Sequence, residues 1–308
     1  MILITEIMDA PAVESLADLG VEYAPELVED QAAIPARLAG KRALIVRNRT
    51  QVTAPMLAAA PDLVCVGRLG VGLDNIDMAA CAAQGVEVYP ALGANARSVA
   101  EYVVTTAAML LRGAYAANAD VIAGSWPRNA LIGREAAAKT LGLLGFGAIA
   151  RVTAELARAF GMRVIAHDPF VPADDPVWAK ADVTPLALDR LFAEADALSL
   201  QVPLTEATRN IIDAQALAAM KPGAVLINAA RGGVVDEAAL IAALRAGRLA
   251  GAALDTFADE PVSAAAGAAF ADVPNLILTP HIAGVTQEAN ERVSTLIAAK
   301  VRARLAQA

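Results

Sequence analysis

The chain has 308 residues, enough for about two domains, and its 57% hydrophobic and 19% charged residues describe a globular protein rather than a disordered one. Its net charge is −8 (25 Lys and Arg, 33 Asp and Glu), and no basic cluster interleaved with aromatic residues occurs, so we expect no nucleic-acid partner. No uncharged apolar run reaches the length of about 18 residues that a membrane span needs, and Glu6 follows the N-terminus with no basic segment before it. We therefore expect neither a membrane anchor nor a signal peptide.

Cys65 and Cys81 are the only cysteines, which favours the cytoplasm. We predict no metal site.

Short apolar runs alternate with amphipathic stretches, a pattern typical of parallel sheets with helices on both faces. In the N-terminal part the predicted strands are Met1–Glu6, Arg42–Val46, Leu63–Val66 and Val86–Tyr89, and the predicted helices are Ala12–Leu19, Pro55–Ala60 and Met78–Gln84. A long helix is predicted over Ser98–Leu111. Further along, the predicted strands are Ala197–Gln201, Val225–Asn228, Gly251–Asp255 and Leu276–Leu278, and the predicted final helix is Gln287–Leu305.

A glycine-rich segment, Leu141–Ala150, separates two apolar runs, and the second run ends in Asp168 about twenty residues after the glycines. This arrangement is typical of the βαβ unit that binds a dinucleotide. Gly145 allows the tight turn, and Gly147 lets the backbone approach a pyrophosphate. Ala150 occupies the position of the third glycine, which the looser form of the motif permits.

The helix after this turn is predicted to begin at Ala148 and Ile149, where its free N–H groups and positive dipole end would bind phosphate. Asp168 would accept hydrogen bonds from the adenosine ribose and repel a 2′-phosphate. The sequence therefore predicts NAD as the cofactor, in preference to NADP.

Three polar segments follow predicted strands: Asn228–Gly233, Asp255–Pro261 and Thr279–Gly284. Because the carboxyl ends of parallel strands meet at one edge of a sheet, we expect these segments to lie together beside the nicotinamide. Arg231 could bind a carboxylate and polarise a keto oxygen, His281 could donate a proton, and Glu260 could orient the imidazole and stabilise its charged form. Singly these residues have structural interpretations, but together behind a dinucleotide motif they predict a dehydrogenase of 2-hydroxy acids.

The chain resembles the D-isomer-specific 2-hydroxyacid dehydrogenases, especially their phosphoglycerate dehydrogenase-like members, over nearly its full length. Besides the segments above, the resemblance is carried by Gly67–Asp77, Ser98–Glu101, Lys139–Gly142 and Pro203–Thr205. It implies an α/β fold of two Rossmann-like doubly wound domains. An NAD-binding domain over residues 97–285 would be inserted into a discontinuous, flavodoxin-like substrate domain over residues 1–96 and 286–308.

The resemblance also implies roles for individual residues. Arg231, Glu260 and His281 would form the catalytic triad, and the N–H groups of Val71 and Gly72 would bind the substrate carboxylate. Asp255 would contact the nicotinamide carboxamide, and the other residues implied to line the cofactor are Val202, Pro203, Ala229, Ala230 and Gly284. Family members dimerise through the cofactor domain, and residues 126–134 resemble their dimer arm, so we expect a homodimer. We expect no regulatory domain after the last helix, and therefore no feedback by serine.

Two arginines, Arg47 and Arg68, indicate the kind of substrate, because they fall where phosphoglycerate dehydrogenases place cations near the substrate. The segment Arg47–Thr50 is similar to that of sulfolactate dehydrogenases. These residues favour a 2-hydroxy acid with a second anionic group, such as 3-phosphoglycerate or sulfolactate. If the arginines form only surface ion pairs, hydroxypyruvate or glyoxylate reduction is the alternative. A different class, an NAD-sensing corepressor that binds peptides, is also open, whereas formate dehydrogenase chemistry needs no Glu260–His281 pair.

Overall fold

The computed structural model describes residues 1–307, which form two compact units. The first unit combines residues 1–95 with the C-terminal residues from 285 onward, and the second comprises residues 96–284. Within residues 1–307, no helix is both long enough and apolar enough to cross a bilayer.

Residues 1–307 contain twelve strands: β1 Ile2–Ile4, β2 Val21–Tyr23, β3 Ala43–Val46, β4 Cys65–Arg68, β5 Glu87–Pro90, β6 Thr140–Leu144, β7 Arg163–His167, β8 Thr184–Pro185, β9 Ala197–Leu200, β10 Val225–Asn228, β11 Gly251–Leu254 and β12 Leu276–Leu278. The α-helices are α1 Ala10–Glu14, α2 Ile34–Leu38, α3 Ala54–Ala58, α4 Met78–Gln84, α5 Ala96–Arg112, α6 Asn118–Ile122, α7 Ala148–Ala159, α8 Pro176–Ala181, α9 Leu188–Glu194, α10 Ala214–Ala219, α11 Glu237–Arg245, α12 Ala264–Gly267 and α13 Gln287–Ala306. Short 3₁₀ turns connect several of them.

The first unit is built on a five-stranded parallel sheet with the order β2-β1-β3-β4-β5. This is the flavodoxin-like order, in which the strand order reverses between β1 and β3. Helix α13 returns from the C-terminus to one face of this sheet, where Ile297 and Val301 pack with Ile2 and Ile45. The packing is close, because a Cβ at Gly67 would lie 2.6 Å from the Ile297 side chain.

The second unit is built on a seven-stranded parallel sheet with the order β12-β11-β10-β9-β6-β7-β8, whose order reverses between β6 and β9. Helices α5 and α7 pack together on one face, with Val103, Ala107, Ala150 and Ala154 all fully buried. In open sheets of this kind, ligands bind beyond the carboxyl ends of the strands at the point of reversal. The predicted α/β class with two doubly wound sheets is confirmed.

One predicted helix is wrong in its extent. The helix expected over Ala12–Leu19 ends at Glu14, and a separate 3₁₀ turn, Ala17–Leu19, follows. The Ser15 hydroxyl donates a hydrogen bond to the Ala12 carbonyl at 2.6 Å, an interaction that competes with helix continuation. Gly20 at φ +71° then ends the turn.

Candidate active site

The glycine turn after β6 has the geometry of a dinucleotide site. Gly145 has φ +97°, and a Cβ on it would lie 2.6 Å from the Gln201 carbonyl oxygen, so only glycine fits there. Gly147 is different: its φ is −76°, and an added Cβ would meet nothing within 4 Å. Helix α7 begins at Ala148 without a side-chain cap, which leaves its first N–H groups available to an anion.

The acid after β7 is held beside this turn. Asp168 accepts a hydrogen bond from the Phe146 N–H at 2.8 Å through one carboxylate oxygen and from the Phe170 N–H at 2.9 Å through the other. Each oxygen retains lone pairs for further donors, such as ribose hydroxyls. The open space at Gly147, the helix N-terminus and the oriented carboxylate together fit a dinucleotide with an unphosphorylated ribose.

The other predicted cofactor residues lie on loops at the same edge of the sheet. Val202 and Pro203 follow β9, and Ala229 and Ala230 follow β10. The Val202 side chain would lie 3.1 Å from a Cβ at Gly145, so it adjoins the glycine turn. Gly284 is the last residue of the second unit.

The loop that carries Arg231 is fixed by a residue that sequence reasoning gave no role. Asn228, at the end of β10, is buried; its side-chain amide donates to the Arg231 carbonyl at 2.9 Å and its side-chain oxygen accepts from the Ala230 N–H at 3.1 Å. Gly232, which follows Arg231, lies so close to the Phe257 carbonyl that an added Cβ would be 1.6 Å from the carbonyl oxygen. The Arg231 loop and the Glu260 loop are therefore in direct contact.

Glu260 and His281 form the carboxylate–imidazole pair that the sequence predicts. The Glu260 carboxylate lies 2.7 Å from His281 Nδ1 through Oε2 and accepts the Phe257 N–H at 2.9 Å through Oε1. Burial acts to raise the pKa of Glu260, but the hydrogen bonds from His281 and Phe257, with the charges of His281 and Arg231, hold that pKa below its usual value. With Nδ1 engaged by the carboxylate, Nε2 is the imidazole nitrogen left for proton exchange.

Asp255 organises the backbone around His281. Its carboxylate is buried and accepts hydrogen bonds from the Ile282 N–H at 2.8 Å and the Ala283 N–H at 2.9 Å, while its carbonyl accepts the His281 N–H at 2.8 Å. The contact between Asp255 and the nicotinamide carboxamide that the resemblance implies stays a prediction. The structure shows that Asp255 at least holds the histidine loop in place.

A hydrogen-bond chain extends this arrangement to α5. The Thr279 hydroxyl donates to Asp255 Oδ1 at 2.6 Å, and since a carboxylate only accepts, Thr279 must take its second hydrogen bond, at 2.7 Å, from the Tyr102 hydroxyl. Burial, reinforced by the charge of Asp255, raises the pKa of Tyr102, so its hydroxyl stays a donor at neutral pH. Asn228, Thr279 and Tyr102 escaped sequence reasoning because isolated neutral polar residues carry no recognisable spacing.

The predicted substrate residues lie in the first unit, where Arg47 follows β3 and Arg68 is the last residue of β4. The Arg47 guanidinium donates to the side-chain oxygen of Asn290 on α13 and, at 3.5 Å, to the Leu69 carbonyl. Arg68 is nearly buried and folds back over Gly70, where a Cβ would lie 1.9 Å from the guanidinium. Val71 and Gly72 follow in a half-buried loop. The structure thus brings Arg47 next to the loop that begins at Arg68.

Arg49, the extra arginine of the segment, is paired elsewhere. Its guanidinium donates to both carboxylate oxygens of Glu29, at 2.6 and 2.9 Å. Its charge is therefore balanced within the pair. Within residues 1–307 no cluster of three or more His, Cys, Asp or Glu side chains is arranged to hold a metal ion.

These features define a nicotinamide-dependent dehydrogenase: a Rossmann sheet, a pyrophosphate-binding turn, and a carboxylate–imidazole pair at the same sheet edge. The family model for the NAD-binding domain of the D-isomer specific 2-hydroxyacid dehydrogenases matches residues 104–283. The chain belongs to that family, and the predictions of an oxidoreductase and of NAD as cofactor are confirmed.

Three relatives show how far the likeness extends. The (S)-sulfolactate dehydrogenase of Chromohalobacter salexigens is 54% identical over 98% of this chain and 97% of that protein. A D-3-phosphoglycerate dehydrogenase of Mycobacterium tuberculosis is 40% identical over 97% of this chain, which spans 56% of that longer protein. The crystal structure of D-lactate dehydrogenase from Aquifex aeolicus, in complex with NAD and lactic acid, matches with a TM-score of 0.86 at 28% identity, over all of this chain and 96% of that one.

Proposed function

We propose that this protein interconverts a 2-hydroxy acid that bears a second anionic group and the corresponding 2-keto acid, with sulfolactate and sulfopyruvate as the best candidates. The observation that carries the proposal is the 2.7 Å contact between Glu260 and His281 Nδ1, on loops next to that of Arg231. The likeness to a sulfolactate dehydrogenase and the two arginines of the first unit support the choice of substrate.

In the direction of reduction, Arg231 binds the substrate carboxylate as a forked, permanently charged donor. The turn at Gly145 and Gly147, together with Asp168, would hold NADH, which would supply a hydride to the keto carbon. His281 gives its Nε2 proton to the keto oxygen, so that the C=O double bond becomes a C–O single bond as one C–H and one O–H bond form. Glu260 stabilises the imidazolium before this transfer, and Asp255 keeps the histidine backbone in position.

The second anionic group is proposed to bind Arg47 and Arg68, while the carboxylate is held by the Val71 and Gly72 N–H groups. Arg47 is oriented by Asn290, which makes it a fixed donor rather than a mobile surface charge. Arg49 is left out of this proposal because Glu29 engages its guanidinium.

The experiment is a comparison of NADH oxidation with sulfopyruvate, phosphohydroxypyruvate, hydroxypyruvate, glyoxylate and pyruvate, in the native protein and in Arg47→Gln. We expect a dianionic acid to be preferred, and we expect Arg47→Gln to lower its kcat/KM by about 10–100-fold while leaving pyruvate within about threefold. A preference for the small monoanions would favour a hydroxypyruvate or glyoxylate reductase. Tight NADH binding without turnover of any acid would favour a corepressor-like protein.

We also propose that the protein is a cytoplasmic homodimer. Residues 115–132 of the second unit expose several large apolar side chains, namely Tyr115, Val121, Ile122, Trp126 and Ile132. Such a patch is typical of a protein–protein interface. The two free cysteines and the use of NAD support the cytoplasm, which cell fractionation would test.

A further inference from the structure

Glu6 is a buried carboxylate at the point where the strand order of the first sheet reverses. It follows β1, and its carboxylate reaches the segment after β3, where Oε1 accepts the N–H groups of Arg47 at 2.8 Å and Thr50 at 2.9 Å. Oε2 accepts the Arg49 N–H at 3.3 Å. The residue is 5% exposed, so its charge lies under the loop and away from bulk solvent.

The two arginines of this loop, Arg47 and Arg49, differ in the charge of their partners. Arg49 is neutralised by Glu29, whereas the acceptors of the Arg47 guanidinium, Asn290 and Leu69, are neutral. The loop therefore presents one cation, Arg47, whose guanidinium donates to neutral acceptors, while the buried carboxylate of Glu6 accepts the backbone N–H of the same residue. The negative charge acts on Arg47, since it opposes the lowering of the Arg47 pKa that burial causes.

We propose that Glu6 makes this site selective for a singly charged sulfonate over a doubly charged phosphate. The inference rests on the proposed function, in which Arg47 binds the second anionic group of the substrate. A sulfonate carries one negative charge, whereas a phosphate monoester carries about −1.5 to −2 near neutral pH. Glu6 repels each added unit of negative charge, and its burial weakens the screening of that repulsion by salt.

The decisive variant is Glu6→Gln. Glutamine is nearly isosteric, and its side-chain oxygen in the place of Oε1 keeps the two shorter hydrogen bonds, so the variant removes charge with little change of shape. Glu26→Gln is the matched control, because Glu26 is an exposed acid of the same unit and its replacement changes the net charge equally. Asn290→Asp is a second, independent variant, in which a carboxylate is added beside the Arg47 guanidinium.

The measured quantity is kcat/KM for sulfopyruvate divided by kcat/KM for phosphohydroxypyruvate. We expect the native protein to prefer sulfopyruvate, Glu6→Gln to lower the ratio by about tenfold through KM, and Glu26→Gln to leave it within about twofold. Asn290→Asp should raise the ratio, which keeps the test available if Glu6→Gln does not fold.

Two failures are distinguishable. Equal ratios in the native protein, Glu6→Gln and Asn290→Asp, with both acids turned over, would overturn this inference and leave the proposed function intact. Turnover of small monoanionic acids alone would overturn the proposed function and the inference with it.

Discussion

His281 has a backbone conformation that non-glycine residues adopt infrequently. Its φ is +52°, in the left-handed region, a conformation that costs about 1–3 kcal/mol and persists only where the surroundings determine it. Here they do, because Asp255 accepts hydrogen bonds from the N–H groups of His281, Ile282 and Ala283. The conformation places the imidazole against Glu260, so a local backbone cost supports the geometry of the proton donor.

The role of Glu260 is testable by Glu260→Gln. Glutamine can still accept the Phe257 N–H, but it carries no charge to stabilise the imidazolium. We expect kcat for keto-acid reduction to fall by about 10²-fold, while the dissociation constant of NADH stays within about twofold. An unchanged kcat would show that the pair is structural only.

The same substitution has a pH signature. Because the pKa of Glu260 is lowered in the folded protein, its stabilising effect is complete above the unfolded value of about 4.3 and is lost as the pH falls through the lowered folded value. The unfolding free energy that Glu260→Gln loses should therefore be about the same at pH 6 and pH 5 and should shrink as the pH falls below about 4, which urea unfolding measures. A loss that already shrinks between about pH 6 and 5 would contradict the lowered pKa of Glu260.

At the scale of single elements, the two glycines of the turn between β6 and α7 have different roles: we expect one to affect stability and the other to affect cofactor binding. We expect Gly147→Ala to keep its thermal stability, because its φ is negative and its Cβ would meet open space, but to raise KM for NADH by about tenfold or more. Gly145→Ala should instead lose about 1–3 kcal/mol of unfolding free energy, from its φ of +97° and the close Gln201 carbonyl. Thermal melts and NADH titrations measure both effects. A stable Gly147→Ala variant with native NADH affinity would show that no pyrophosphate approaches there.

A buried carboxylate joins the starts of several strands of the second sheet. Asp196, just before β9, accepts the Thr140 N–H at 3.0 Å and the Lys221 ammonium at 2.8 Å. Burial acts to raise the pKa of Asp196, but the hydrogen bonds from Lys221 and Thr140 outweigh it and lower that pKa. The contribution to stability is therefore present above about pH 3.9 and lost as the pH falls through the lowered folded pKa.

We expect Asp196→Asn to lose about 1–2 kcal/mol of unfolding free energy at pH 7, a value reduced by the partial exposure of Lys221. Urea unfolding at several pH values measures it. The difference from the native protein should shrink below about pH 4. A difference that persists unchanged at pH 3 would mean that the shape of the side chain, not its charge, is what matters.

The elements that the sequence predicts well are those with long apolar runs or strong boundary residues. Helix α4 begins after Asp77, whose side chain accepts the Ala80 N–H, and it is followed by the capping residue Gly85. Both ends of the helix can therefore be predicted from residue types that commonly cap helices. Strands β2 and β8 escaped prediction because they are short and, unlike β1 and β12, contain no apolar run. Their strand state depends on pairing with β1 and β7.

The candidate site shows the same division. The roles of Gly145, Asp168 and His281 could be predicted from the spacing of their motifs. The structure places each of them on the loop where it was expected. Asp255 acts through hydrogen bonds to backbone groups far along the chain, and Asn228 acts through hydrogen bonds that depend on the shape of the local turn. The spacing of residues in the sequence does not predict either kind of partner.

At the scale of the whole molecule, the exposed apolar residues of the second unit predict an assembly. We expect Trp126→Glu with Ile122→Glu to shift the protein from dimer to monomer in sedimentation experiments, because burying the added carboxylates would cost several kcal/mol. Phe160→Glu is the control, since Phe160 is also exposed but lies outside residues 115–132. A native protein that sediments as a monomer at micromolar concentration would contradict the dimer.

The net charge of −8 makes an anionic substrate dependent on locally placed cations. The proposed catalysis also depends on one proton donor, His281, held by Glu260. These two requirements meet in the proposed reaction, the NADH-dependent reduction of sulfopyruvate.

The measurement that tests this account most directly is the rate of that reduction in the native protein and in His281→Gln, followed by NADH absorbance, with NADH binding measured in both. We predict turnover by the native protein and a loss of about 10²–10⁴-fold in kcat for the variant at unchanged NADH affinity. A native protein that binds NADH but reduces no sulfopyruvate, or a variant as active as the native protein, would contradict it.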